Sequence, residues 1–172
     1  MLISEIYVKL RTFASFALNY NPLITVAYAN QSATRPDKPF VTISVGTLSQ
    51  VDGEIRREID AQGMQDVILQ KSFIVTFNAY SDTTHDSENI LNFLENGLFT
   101  EQAYQIFAGN MAAVRTVLGV TSLPKDVSAA MESRAILEIE FRVNQNVISD
   151  VGLIEHIHIM DEINNEEIII NR

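Results

Sequence analysis

Two stretches of the chain place apolar residues at every second position. In Val67 to Tyr80, one side carries Val67, Leu69, Phe73, Val75, Phe77 and Ala79, interrupted only by Lys71. In Ser133 to Val147, Ala135, Leu137, Ile139, Phe141, Val143 and Val147 share a side, while Arg134, Glu138, Glu140 and Arg142 take the other. Side chains alternate across a strand, so each stretch is predicted to be one long strand with an apolar face and a wetter one. Neither contains a Gly or Pro to break the ladder. The two are expected to lie at the centre of a sheet whose dry face is covered by helices.

The rest of the chain supplies that cover and the flanking strands. Ile3, Ile6, Leu10, Phe13 and Ala17 recur at steps of three and four, the stripe of a helix over about Leu2 to Asn19. Asn21-Pro22 ends it, because the residue before a proline disfavours helical backbone. Leu23 to Tyr28 predicts a short strand, and the polar segment from Ala29 to Pro39 a loop. Phe40 to Val51 alternates again. Asp52-Gly53 then predicts a two-residue hairpin turn, since both residues tolerate positive φ, with Glu54 to Asp60 as the returning strand. Gln62-Gly63 marks a second turn, so Val41 to Tyr80 is expected to form an antiparallel meander.

A helix is expected after Ser81-Asp82-Thr83-Thr84, with Ile90, Leu91, Phe93, Leu94 and Leu98 as its apolar face. Thr100 should cap a second, shorter helix. Ala112 to Val120 predicts a strand, Ser122 to Ala130 a loop, and Leu153 to Met160 a last strand before a tail ending in Ile168, Ile169 and Ile170. The expected fold is therefore α+β: a mostly antiparallel twisted sheet with long central strands, one face covered by an N-terminal helix and a central helical segment. Residues 1–172 are expected to form a single domain, with a projecting hairpin at about 46–66 and a flexible or partner-bound tail at about 163–172.

Composition narrows the function classes. Twelve Lys and Arg stand against twenty-two Asp and Glu, a formal charge of −10, and Arg56-Arg57 is the only adjacent basic pair. A protein that grips phosphates clusters its cations, so specific nucleic-acid binding is not expected. Taken alone, such a charge is better accounted for by solubility. The absence of Cys removes disulfides, thiolate metal sites and cysteine nucleophiles. No apolar run approaches the ~20 residues of a membrane span, and the N-terminus lacks the layout of a signal peptide.

No catalytic signature is written in the chain. His156 and His158 sit two apart on a predicted strand and share a face, where two imidazoles can hold a metal. Glu155 would point to the other face and Asp161 lies past the strand end, so the pair reads as two half-exposed strand histidines. Ser81, Asp82, His85, Asp86 and Glu88 crowd a helix start, as capping residues do. The seven glycines never form a phosphate-cradling pattern. Lys71 marks where an apolar face leaves the core. No catalytic, cofactor or metal residue is therefore predicted, and the chain is not expected to be an enzyme. Two segments are candidate interfaces, the hairpin of Val51, Asp52, Gly53, Glu54, Arg56 and Arg57 and the tail residues Ile168, Ile169 and Ile170; a solvated turn and a frayed or self-paired terminus account for them equally well.

Arg35-Pro36-Asp37-Lys38-Pro39-Phe40, the turn at Asp52-Gly53, Phe77 to Asp82 and Arg134 to Val143 together resemble the neck or tail terminator proteins of long-tailed bacteriophages. The similarity covers most of the chain. It implies a virion protein, assembled in the host cytoplasm, that forms a homo-oligomeric ring, a hexamer, at the end of the tail tube. Such a ring would stop tube polymerisation and join the tail to the head connector or stopper proteins, with double-stranded DNA passing through its lumen unbound and no membrane involved. A chain of this length has a radius of gyration of about 16 Å, and six such bodies in a ring leave an opening of about 40 Å. Subunit contacts are expected at the hairpin near Asp52 and at extended strand edges. The rival expectation is a small soluble ligand-binding or metal-dependent enzyme domain, with His156, His158 and Asp161 lining a pocket.

Overall fold

The computed structural model describes residues 3–29, 35–51, 53–82, 86–123, 133–152, 156–161 and 166–171, the last two stretches as backbone. Its elements run α1 (Ile3–Ala17), β1 (Thr25–Tyr28), β2 (Phe40–Val45), β3 (Ser49–Gln50), β4 (Ile55–Ile59), β5 (Met64–Ser81), α2 (Asp86–Gly97), α3 (Glu101–Phe107), β6 (Met111–Ser122), β7 (Ser133–Asp150), β8 (His156–Asp161) and β9 (Glu166–Asn171). The chain divides into two compact units, the first made of residues 1–53 and 70–145, the second of 54–69 and 146–172. The expected α+β architecture is present: a largely antiparallel seven-stranded sheet with helices on one face.

In the first unit the strand order is β1-β2-β5-β7-β6. β2 runs antiparallel to β5, from Phe40 opposite Tyr80 to Val45 opposite Val75. Phe73 stacks on Phe141 and Thr76 bonds Glu138, so β5 and β7 also run in opposite directions. The period-two pattern settles which side chains go inward. Phe73, Val75, Phe77 and Ala79 from β5, with Ala135, Leu137, Ile139, Phe141 and Val143 from β7, are all buried. Burying each larger one contributes about 1.5–3 kcal/mol. Ile6, Leu10 and Phe13 of α1 and Leu91 and Leu94 of α2 join the same core.

The three helices form one layer over this dry face. Gly97 lets α2 close on α1, for a Cβ there would lie 2.9 Å from Ala17 Cβ and 3.6 Å from Phe13 Cε2. Lys9 Nζ of α1 donates to the carbonyls of Ile106 at 2.7 Å and Ala108 at 3.3 Å, satisfying the last orphan acceptors of α3. Thr100 caps α3 as expected, accepting from Ala103 N at 3.2 Å while its hydroxyl donates to the Gly97 carbonyl at 2.7 Å. One hydroxyl thus closes α2 and opens α3.

β1 pairs with β2 in parallel. Two readings of the sequence need correction. The alternation over Phe40 to Val51 is broken at Gly46, whose amide bonds the Ile74 carbonyl at 2.8 Å and where a Cβ would stand 3.1 Å from that oxygen. The expected hairpin between β3 and β4 is also not formed, for the two strands run in the same direction. β3 pairs with Ser72 and Lys71, and β4 with Ile68, Val67 and Gln65, both antiparallel to β5. The reversal comes at Asp60 to Gly63, the second predicted turn, so the meander is one strand shorter than expected.

The second unit contains that turn. Asp60 Oδ1 accepts from the amides of Gln62 and Met64, each at 2.9 Å, and Gly63 takes φ +81°. The Gly63 carbonyl accepts from Val151 N at 3.0 Å, and a Cβ on Gly63 would meet Gly152 backbone at 3.0 Å. In the tail, β9 pairs antiparallel with β8, with Ile170, Ile169 and Ile168 opposite Ile157, His158 and Ile159.

Candidate assembly surface

The dry face of the first unit is filled, so chemistry has to be sought on the other side of its sheet. There lie the alternate residues of each strand: Phe40, Thr42 and Ser44 from β2, Ile74, Thr76, Asn78 and Tyr80 from β5, and Arg134, Ile136, Glu138, Glu140 and Arg142 from β7, of which Phe40 and Asn78 are buried. At one corner Phe40 and Tyr80, opposite each other in register, stack with centroids 4.6 Å apart. Arg35 lies over both rings, at 5.1 and 4.9 Å, and Arg134 over Tyr80 at 5.3 Å. Arg134 Nη2 donates to Asn78 Oδ1 at 3.1 Å, and Lys38 Nζ pairs with Asp82 Oδ1 at 2.9 Å. The loop before β2, the end of β5 and the start of β7 are remote in sequence, and this corner brings them together.

Further along, Arg115 of β6 pairs with Glu140 at 2.8 Å, and Thr76 Oγ1 donates to Glu138 at 3.2 Å. Arg142 Nε is buried with no acceptor. The side thus carries Arg35, Lys38, Arg115, Arg134 and Arg142 against Asp82, Glu138 and Glu140, a formal excess of two positive charges. Counting Asp37 of the same loop leaves the sum positive. The helix layer has the opposite balance: Glu5, Asp86, Glu88, Glu95 and Glu101 against Lys9 and Arg11, a formal excess of three negative charges. It also exposes apolar groups, with Val8 61%, Phe99 86% and Tyr104 71% accessible. Tyr20 packs against Phe93 of that layer, the rings tilted by 30° with centroids 4.1 Å apart; burial, and then the nearby Asp86 carboxylate, raise its hydroxyl pKa above 10.0.

The predicted interface residues fall in several places. Val51 lies beside β5, its amide donating to the Gln70 carbonyl at 3.2 Å. Asp52 lies outside the described residues. Gly53 ends the first unit's early segment. Glu54 pairs with Arg56 on an exposed surface, and the Arg57 carbonyl accepts from Gln65 Nε2 at 2.8 Å. Ile168, Ile169 and Ile170 are backbone-paired within β9. Sequence reasoning missed the corner at Tyr80, although Arg35, Phe40, Tyr80 and Arg134 all lie in the segments that carried the resemblance.

Nothing among the described residues gathers three metal-ligating side chains. His156 and His158 are register partners of Asn171 and Ile169, and Glu155 and His85 lie outside the described residues. Of the residues crowding the helix start, Ser81 is buried, Asp82 pairs with Lys38 and Asp86 opens α2. Lys71 is half-buried opposite Gln50. A cleft of about 230 Å³ between Arg11, Asn19, Asn21 and Thr25 offers no paired nucleophile and base. No described helix is long and apolar enough to cross a membrane.

A family model described as phage neck terminator protein matches residues 4–170. The chain belongs to the phage neck terminator family. This neck terminator is therefore a structural protein of the phage tail and neck, a component of the virion that interacts with other tail and head proteins. No curated protein matches the chain.

Proposed function

We propose that this protein forms a homo-oligomeric ring, a hexamer, that caps the tail tube, halts its polymerisation and joins the tail to the head connector, with double-stranded DNA passing through the ring. The family match over nearly the whole chain carries this reading. The charge of −10 supports it, because an acidic lumen lets a polyanion slide without adhering. Assembly takes place in the host cytoplasm before the tail joins the head. The exposed segment of Val51, Gly53, Glu54, Arg56 and Arg57, with Asp52 between them, and the tail strand bearing Ile168, Ile169 and Ile170 serve as contacts to partner proteins. The role is structural, with no reaction catalysed and no cofactor held.

The test is tube length. Tail tube protein polymerising alone should give filaments of open-ended length under the electron microscope. Added terminator should shorten them and leave a ring of density at one end. Filaments of unchanged length, with no ring on their ends, would sink the proposal.

A further inference from the structure

A closed ring of identical subunits joins two different patches on each copy, one facing the copy before and one the copy after. The first unit offers two such patches, and they are complementary. Its sheet face carries an excess of positive charge around Arg134 and exposes Ile74, 42% accessible. Its helix layer carries an excess of negative charge and exposes Phe99 and Tyr104. Exposed apolar groups framed by charge are what a contact between subunits requires.

Strand addition at the sheet edges is the competing route, and both edges are poor for it. β6 suffers register shifts between Ala113 and Arg115, between Thr116 and Leu118, and between Leu118 and Thr121, which spoil a ladder of hydrogen bonds. β1 at the other edge has only four residues. Within the first unit the faces are therefore better suited to the contact than these two edges.

We infer that copies of this chain associate head to tail, the acidic outer surface of one helix layer seating on the cation-bearing sheet face of the next copy. The inference rests on the ring reading above and specifies its subunit contact.

Two variants each block one patch: Ile74→Glu with Arg134→Glu on the sheet face, and Glu101→Lys with Tyr104→Lys on the helix layer. In sedimentation velocity the unaltered chain should associate as concentration rises, and each variant alone should stay a monomer with an unchanged thermal melt. Mixed in equal amounts, the variants should form a heterodimer and stop, because one intact pair of patches remains. Should a double substitution unfold the chain, the single reversals Arg134→Glu and Glu101→Lys should each weaken association about tenfold. An unaltered chain that stays monomeric, association that survives either block, or a mixture that stays monomeric would each overturn the assignment. A chain that passes the mixing test but leaves tube length unchanged keeps its head-to-tail contact and loses the capping role.

Discussion

Gly97 shows how one missing methyl group sets the spacing of a layer. It ends α2, where glycine is common, but its greater effect is to admit Ala17 of α1 at a distance no Cβ would allow. Gly97→Ala gains a little helix propensity and introduces a Cβ 2.9 Å from another. Backbone on both sides is held by helix bonds, so overpacking should win and cost about 1–3 kcal/mol. Ala17→Gly in the same chain should return part of the loss, since it removes the atom struck. Thermal melts of the two single variants and the double variant measure the coupling. Additive effects would mean that the helices do not meet there. Thr100 teaches the same lesson from the polar side: the sequence announced a cap, while its second bond, to the Gly97 carbonyl, became evident only with the helices in place.

At the scale of elements, β5 and β7 were legible because a period of two over so many residues has no competing interpretation. Burial ends where the second unit begins: Val67 and Leu69 keep the rhythm but are only half-buried, and Val147 is 49% accessible. Alternation reports a face, and the presence of something to cover that face is a tertiary matter. The turn at Asp52-Gly53 failed for a related reason. Turn chemistry permits reversal, but β3 and β4 each find the same partner, β5, and pairing outweighs a permissive dipeptide. The parallel pairing of β1 with β2 leaves no local mark, because its partners are joined through a loop. Asp60 and Gly63 do carry a mark, a side-chain acceptor followed by a left-handed glycine. Gly63→Val places a branched residue at φ +81° and against the Gly152 backbone. It should open the second unit locally, and hydrogen exchange should show lost amide protection in β4 while Phe77 and Ile139 in the first unit keep theirs. Equal loss in both would show that the two units unfold as one.

For the whole molecule, charge is the property that composition reported only as a total. The net of −10 hides a first unit whose sheet side is positive and whose helix side is negative. Sequence alone could not separate them, since Arg35, Arg115 and Arg134 lie far apart along the chain and meet only through strand pairing. Two ranges of force then act between copies. Net repulsion works between centres about 40 Å apart, and salt near 0.1 M, with a Debye length of about 10 Å, has already quenched it. Facing charges in a head-to-tail contact lie well within that length and keep their attraction until salt rises further. Below about 0.01 M the screening length grows to about 30 Å and the repulsion returns. Association should therefore be tightest at intermediate ionic strength and fall off on both sides. Sedimentation equilibrium across a salt series reads this directly. A contact driven by apolar burial alone would instead tighten steadily as an excluded salt such as sulfate is added, so a dissociation constant without a minimum would take the complementary faces out of the explanation.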